Sequence, residues 1–158
     1  QSSILSNWIR DIYVYDNKIN ALFNFSKFNS LFKQKYDEKG RPHDLYDLQL
    51  PNEPFFTING SVQYRLNDVF QKKSILNVYY NTGYVAPFNT IWMASEWFTT
   101  PTQFYHDIGS SYRLPNGKMV VSLDLKNILN AEIYDNFGVQ KPGRSVSVKL
   151  NYTISKFL

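Results

Sequence analysis

Few residues in this sequence have the types and spacing that catalysis requires. It contains two histidines, His43 and His106, no cysteine, and no glycine-rich phosphate-binding loop. His43 follows a proline and precedes an aspartate in a polar segment, so we expect it to be solvated. Asp107 and Asp124 could form a hydrolase dyad. We instead expect both to face water beside Lys or Arg, and the sequence predicts no enzyme, no cofactor and no metal site.

A cluster of aromatic residues is the stronger candidate for ligand contact. Residues 86–102, a segment predicted to be a loop, contain Phe88, Trp92, Trp97 and Phe98. Exposed aromatics at this density exceed what a solvated loop needs. We therefore predict that some of them line a ligand vestibule. The alternative is that they pack on neighbouring loops.

The segments that must position these groups alternate between apolar and polar residues, which is the signature of β-strands. At the C-terminal end, Val146, Val148 and Leu150 alternate with Ser145 and Ser147. A helix would scatter these residues around its surface. The same pattern predicts six strands, at residues 19–32, 55–66, 75–85, 104–114, 119–126 and 144–158. Residues 8–15 have the composition of a seventh strand but alternate poorly.

Composition narrows the class of protein further. Aromatic residues make up 17% of the 158 residues, which suits strands and membrane interfaces. No apolar run is long enough for a transmembrane helix. The net charge is +4, but the basic residues are scattered singly, whereas a nucleic-acid interface would cluster them. The sequence therefore predicts no nucleic-acid partner.

The connections between the predicted strands alternate in length. Short connections fall at 15–17, 67–73 and 115–117, and long loops at 33–54, 86–102 and 127–143. Antiparallel strands joined in this way place every short turn at one end of the sheet. Long extracellular loops and short periplasmic turns are typical of transmembrane barrels. We expect an aromatic belt formed by three tyrosines at one height on the apolar face, namely Tyr64, Tyr112 and Tyr152.

These features predict an all-β, antiparallel, up-and-down transmembrane β-barrel, of which this chain supplies six to seven strands. Strands of about ten residues suit a tilted membrane crossing better than a soluble sheet. A soluble or surface β-domain that binds a ligand without transport remains an alternative, as does a small independent outer-membrane barrel. The residues predicted to face lipid are Phe56, Ile58, Val62, Tyr64, Ile108, Tyr112, Val121, Leu123, Val148, Leu150 and Tyr152.

Charge predicts the registers of the last three strands. Like charges directly opposite each other destabilise a sheet, whereas unlike charges contribute about 0.2–1 kcal/mol. One register of the fifth and sixth strands would oppose Asp107 to Asp124, and another sets Asp107 opposite Lys126. For the last hairpin, the choice lies between opposing two lysines and pairing Asp124 with Lys149. We predict the pairs Asp107–Lys126 and Asp124–Lys149, all four residues forming a charge ladder in the barrel lumen.

The segment 125–136 and the Pro-Gly-Arg sequence before the last strand resemble the C-terminal end of TonB-dependent outer-membrane receptors. The resemblance extends upstream through Tyr112 and Arg113 to the Leu50–Pro54 segment. Asn127 and Asn130 also have a physical role, because asparagine tolerates a left-handed conformation, and Pro142 with Gly143 is expected to form a turn. The matching positions are Asn127, Ile128, Leu129, Asn130, Tyr134, Pro142, Gly143 and Arg144.

This resemblance implies the bacterial outer membrane and uptake of a scarce solute such as a ferric siderophore, haem, cobalamin or a glycan. It implies that residues 1–158 are a C-terminal barrel segment, since the family surrounds a plug domain with about 22 strands. The implied partners are outer-membrane lipid, the remaining strands and plug, a TonB-type energy-coupling protein reached through the plug, and a surface lipoprotein.

Overall fold

The computed structural model describes residues 2–91 and 98–154, with side chains from Arg10 onwards. They form one antiparallel sheet of seven strands, in which each strand pairs with its neighbours in the sequence. Among the described residues there is no helix long and apolar enough to cross a membrane. The strands are β1 (Ser2–Tyr15), β2 (Ile19–Phe32), β3 (Phe56–Asn67), β4 (Ile75–Val85), β5 (Gln103–Arg113), β6 (Met119–Lys126) and β7 (Ser145–Tyr152).

The strands predicted from alternation are all present, and the largest difference lies in β1. Composition indicates a strand only from Trp8, whereas β1 begins at Ser2. β1 pairs with β2 along its length, with one irregularity between Ile4 and Ser6. Because β2 offers backbone partners along 14 residues, pairing extends β1 beyond the predicted segment.

The register of β5 and β6 is the predicted one. Ile108 is opposite Leu125, which aligns Asp107 with Lys126, and the Leu114 N–H donates to the Met119 carbonyl at 3.0 Å across the turn. Among the described residues, no ion pair joins Asp107 to Lys126. The prediction therefore holds for the register of the strands and not for a charge contact.

The predicted register of β6 and β7 is wrong. Asp124 is opposite Ser147, and Lys149 is opposite Ser122. The Asp124 carboxylate instead accepts a hydrogen bond from the Tyr79 hydroxyl, two strands away. Charge pairing therefore does not set this register. The long loop before β7 holds the start of the strand instead. The Arg144 N–H donates to the Asn130 side-chain oxygen, and the next residue, Ser145, is opposite Lys126.

Residues directly opposite one another form cross-strand rows, and the rows sort the side chains onto two faces. One row runs from Ala21 through Val62, Tyr80 and Ile108 to Leu125. We call the side of the sheet that carries this row the apolar face. It carries all of the residues predicted to face lipid, which are Phe56, Ile58, Val62, Tyr64, Ile108, Tyr112, Val121, Leu123, Val148, Leu150 and Tyr152.

The opposite side, which we call the polar face, has different rows. One of them contains Ser61, Asn81 and Asp107, and another ends at Asp124 and Ser147. Among the described residues, the only buried large hydrophobic side chains are Leu45 and Phe88, and both belong to loops. The apolar face is therefore not packed against a second layer.

The three tyrosines predicted to share one height lie on the apolar face in three successive rows. Ser110 belongs to the row of Tyr64, and Tyr112 is two residues beyond Ser110. Leu150 belongs to the row of Tyr112, and Tyr152 is two residues beyond Leu150. The rings thus follow a diagonal that moves by two residues for every two strands.

Candidate functional site

An open cleft of about 800 Å³ lies where the polar face meets the long loops. The ends of β3, β4 and β5 form one wall, and the loop between β6 and β7 forms the other. Its lining combines aromatic rings, two lysines and several carboxylate or amide groups. The residues that line it are Pro54, Thr57, Val85, Phe88, Gln103, Tyr105, Asp107, Lys126, Asn127, Ile133, Tyr134, Asp135, Asn136, Phe137, Lys141, Pro142, Gly143 and Ser145.

The aromatic residues predicted to contact ligand have different environments. Phe88 lines the cleft but is only 4% exposed. Its N–H donates to the Thr100 hydroxyl at 3.1 Å, so its segment is held against the returning strand of the loop. Phe98 is 44% exposed, and its ring meets the Tyr134 ring edge-on at 6.0 Å. Trp92 and Trp97 lie outside the described residues.

Asn52 holds the three long loops together. Its backbone N–H donates to the Asn89 carbonyl at 2.6 Å. In the amide orientation that satisfies its neighbours, its side-chain nitrogen donates to the carbonyl oxygens of Thr90 at 3.0 Å and Asn136 at 2.7 Å. Asn52 belongs to the first loop, Thr90 to the second and Asn136 to the third. One side chain therefore fixes the rim of the cleft.

Asn127 starts the third loop in the predicted left-handed conformation, with φ of 49°, and Asn130 has φ of 54°. Asn127 is buried and exchanges two hydrogen bonds with the backbone of Ala131, at 2.8 and 2.9 Å. Its own N–H donates to the Asp107 carboxylate at 2.7 Å. Asp107 therefore anchors the base of the loop.

The same loop is closed by Asn130. Its side-chain oxygen accepts the Arg144 N–H at 2.9 Å, immediately before β7 begins. A Cβ at Gly143 would lie 2.6 Å from that oxygen, so only glycine allows this approach. No turn forms at Pro142 and Gly143, which corrects the predicted role. Gly143 is needed for close contact instead.

Gln103 is a cleft residue that sequence reasoning missed. It is fully buried, and its side-chain oxygen accepts the Tyr134 N–H at 2.8 Å. Its amide nitrogen has no hydrogen-bond partner among the described residues. An unpaired buried donor is costly, and because Gln103 is fully buried, its contribution to the cleft is the hydrogen bond that positions Tyr134. Its position just before the alternating part of β5 gave no signal of this role.

Tyr134 is the other side chain that the third loop presents to the cleft. Partial burial, and then the nearby Glu132 carboxylate, raise the pKa of its phenol above the ordinary value. The hydroxyl donates to that carboxylate at 3.4 Å. Tyr134 is therefore a neutral phenol whose hydrogen is donated to Glu132 and whose oxygen can still accept a hydrogen bond.

No family model, curated protein or solved structure matches this chain. Its function therefore has to be inferred from its own geometry.

The two histidines pack against aromatic rings. His106 lies on the apolar face, where its ring is hydrogen-bonded to Tyr80 and meets Phe104 edge-on at 4.3 Å. His43 is half-buried against the Phe32 ring at 4.3 Å instead of being solvated. Neither histidine lines the cleft. No group of three potential metal ligands occurs in the part of the chain that the structure describes.

Proposed function

We propose that this chain is a wall segment of a TonB-dependent outer-membrane receptor, in which it contributes to the energy-coupled uptake of a scarce solute. One observation carries the proposal: from β3 to β7 the sheet has a mainly apolar face, and no second layer of the described residues covers it. Val62, Leu123 and Val148 are 46%, 42% and 72% exposed. Lipid is a solvent that accommodates such a face, whereas water is not.

A soluble β-sandwich is the main rival, and it requires a second sheet over this face. All seven described strands belong to one sheet, and the long loops extend from its end. The polar face opposite carries Asp107, Asp124 and Lys149, as a water-filled lumen requires. The distribution of side chains therefore supports a membrane wall.

The tyrosine diagonal supports the same interpretation. The tyrosines move by one residue per strand. One residue is about 3.3 Å along a strand, and neighbouring strands are about 4.8 Å apart. If Tyr64, Tyr112 and Tyr152 mark one depth in the membrane, the strands are tilted by about 35° from the membrane normal. Transmembrane barrels have strand tilts of about 35–45°.

The direction of the edge strands favours a segment over a complete barrel. In a sequentially paired antiparallel sheet of seven strands, β1 and β7 run in the same direction. Joining them directly would require a parallel pair. An antiparallel barrel therefore needs an odd number of further strands between the two edges, which the remainder of a receptor would supply.

The cleft is the proposed point of solute contact in this segment. Lys126 and Lys141 offer exposed ammonium donors, Tyr134 a phenol, and Phe98 an exposed ring at the rim. Such a lining suits a large solute with many acceptor oxygens, and the candidates are a ferric siderophore, haem, cobalamin and a glycan. The plug would couple solute release to the TonB-type protein.

Detergent dependence tests the membrane part of the proposal. We expect the protein to fractionate with outer membranes and to remain monodisperse only in detergent. Size-exclusion chromatography with light scattering measures this directly. A monodisperse species in detergent-free buffer would overturn the proposal in favour of a soluble β-domain.

Uptake tests the transport part. Cells that carry the receptor would be given a labelled ferric siderophore, haem, cobalamin or oligosaccharide, each with and without an uncoupler of the proton gradient. We expect one of these probes to accumulate only in energised cells, and Lys141→Ala to weaken its binding. Equal entry with and without the gradient would indicate a passive channel and would contradict energy coupling.

A further inference from the structure

The connection between β3 and β4, residues 68–74, carries an unusual aromatic residue. Phe70 is 87% exposed, the largest value for any large hydrophobic side chain among the described residues. Asp68 and Ser74 are residues that turns favour, so they account for the reversal of the chain. Chain reversal does not account for a large exposed ring at position 70.

The turn is built to hold one conformation. The Asp68 carboxylate accepts the Lys73 N–H at 2.5 Å, and the Asp68 N–H donates to the Ser74 carbonyl at 2.8 Å. Ser74 is 1% exposed, and its hydroxyl lies 2.5 Å from the Val69 carbonyl and 2.7 Å from that of Gln71. These hydrogen bonds pair polar groups of the turn with one another.

Phe70 has a backbone conformation that aromatic residues rarely adopt. Its φ is 64°, and Asp68 and Lys73 have φ of 60° and 69°. A left-handed conformation is uncommon for a bulky residue, and strained backbone of this kind clusters at functional positions. The surrounding hydrogen bonds hold the turn in this strained conformation. In that conformation the ring of Phe70 is exposed.

The ring extends the apolar face of the sheet. Phe70 meets the Tyr112 ring edge-on at 5.9 Å, and the Tyr112 hydroxyl donates to the Val69 carbonyl at 3.2 Å. Tyr112 belongs to the apolar face, in the row of Leu76 and Val121. Phe70 is thus continuous with the proposed lipid-facing surface, and it lies beyond the ends of the strands.

Basic residues are concentrated at the same end of the sheet as this aromatic pair. We call residues 15–19, 65–75 and 113–119 the short-turn edge. It contains six basic and two acidic residues, a difference of four, which equals the net charge of +4 of the whole sequence. Lys72 and Lys73 are exposed in the same turn as Phe70. The residues concerned are Lys18, Arg65, Lys72, Lys73, Arg113 and Lys118, with Asp16 and Asp68.

We propose that the 68–74 turn is a lipid anchor, in which Phe70 enters the interfacial layer of the periplasmic leaflet and Lys72 and Lys73 bind anionic phospholipid headgroups. The inference rests on the proposed membrane function and adds a specific lipid partner to it. An exposed ring continuous with an apolar surface matches the acyl boundary, and the adjacent lysines match headgroup phosphates.

Spin labelling tests the depth of the turn. The sequence has no cysteine, so Phe70→Cys in the assembled receptor can carry a single nitroxide once any cysteine outside this segment is replaced by serine. Control labels are Asn116→Cys in the turn between β5 and β6, and Phe137→Cys, 80% exposed in the third long loop. The receptor is reconstituted in phosphatidylcholine vesicles with or without phosphatidylglycerol.

At position 70 we expect strong relaxation by oxygen and weak relaxation by a water-soluble nickel chelate, with deeper insertion when phosphatidylglycerol is present. Positions 116 and 137 should be accessible to the chelate in both lipids. Lys72→Glu combined with Lys73→Glu should abolish the effect of phosphatidylglycerol at position 70. Lys35→Glu combined with Lys39→Glu, in the first long loop, should leave that effect unchanged.

A label at position 70 that is as accessible to the nickel chelate as position 116 would overturn the anchor, and the detergent-dependent receptor would still stand. Insertion that is equal in both lipids and unaffected by the Lys72 and Lys73 substitutions would overturn headgroup binding. A label at position 70 that is protected from both reagents in the vesicles would indicate a protein partner instead of lipid. A receptor monodisperse without detergent would remove the proposed function as well.

Discussion

The two faces of the sheet differ in how far their side chains reach. On the apolar face, side chains meet those directly opposite on the neighbouring strands, and many of them remain exposed. On the polar face, side chains reach across a strand. Tyr79 passes over Gly109 to Asp124, and Tyr105 passes over Gly83 to within 3.4 Å of the Asn59 side chain.

The difference indicates which face the protein itself must hold rigid. In the proposed membrane setting, lipid would fill the spaces between apolar side chains on one side, so few specific contacts would be needed there. Water on the other side competes for polar groups, and bridges that span three strands fix their positions. Glycine at the crossed position makes each bridge possible, because its hydrogen lets the tyrosine ring lie flat against the sheet.

The largest predicted effect comes from placing a charge on each face in turn. Val148 and Ser147 are adjacent, both exposed, and on opposite faces of β7. In the assembled receptor, Val148→Lys should reduce the free energy of unfolding by about 2–4 kcal/mol, because a cation must enter the lipid. Urea unfolding in lipid vesicles measures the change.

Ser147→Lys is the matched control, since it places the same cation opposite Asp124 on the polar face. We expect a change within about 0.5 kcal/mol, as for ordinary surface substitutions. Equal destabilisation by the two lysines would contradict the assignment of the faces to lipid and water.

The second prediction concerns the crossed glycines. A Cβ at Gly109 would lie 2.3 Å from the Tyr79 ring, so Gly109→Ala must displace the ring from its path to Asp124. We expect a loss of about 1–3 kcal/mol, the usual cost of overpacking. Gly60→Ala, on the apolar face, meets only a methyl group of Thr82 at 3.2 Å and should cost less.

A double variant identifies the cause of that loss. If Gly109→Ala acts by displacing the ring, Tyr79→Ala should remove most of its additional cost, and the two changes will not be additive. Additive effects would indicate that Gly109 matters only to the backbone of β5. Chemical denaturation of the four proteins in one detergent provides the comparison.

The strands were predictable because alternation reports which face each side chain occupies. The register of β5 and β6 followed from charge because the turn at Pro115 is too short to allow many alternatives. The same reasoning was wrong for β6 and β7. There, the contacts of Asn130 with Arg144 and of Tyr79 with Asp124 outweigh weak pairing between exposed charges.

The cleft was only partly predictable. The segment that supplies Asn127 and Asn130 was identified from its sequence, and their left-handed conformations are confirmed. Phe88 was expected among the exposed aromatics but is buried. Gln103 and Asn52 gave no pattern, because their roles depend on loops that meet only in three dimensions.

The third prediction addresses the rim of the cleft. Asn52→Ala removes the side-chain donor shared by Thr90 and Asn136, which should cost about 0.5–1.5 kcal/mol of local stability. Faster hydrogen exchange at the amides of Thr90 and Gly138 measures this. Asn116→Ala, whose side chain caps only its own short turn at Lys118, should leave both amides unchanged. Unchanged exchange in Asn52→Ala would show that the loops hold together without it.

The smallest predicted effect is a pH dependence at the tip of the first long loop. Hydrogen bonds from the backbone N–H and then the guanidinium of Arg41 hold the pKa of the Asp37 carboxyl below its ordinary value. Because the folded pKa is the lower one, the stabilisation is complete above the ordinary pKa and is lost as the pH falls through the lowered pKa. Exchange at the Lys39 and Arg41 amides, which donate to this carboxylate at 2.8 and 2.9 Å, should therefore show an added acceleration at acid pH. In Asp37→Asn the added acceleration should vanish, and its persistence would assign the effect to another group. In the third loop, the Asp135 carboxylate accepts the N–H groups of Phe137 and Val139 in the same way. Hydrogen exchange at these two amides is measured in the same sample and compared with exchange at Lys39 and Arg41.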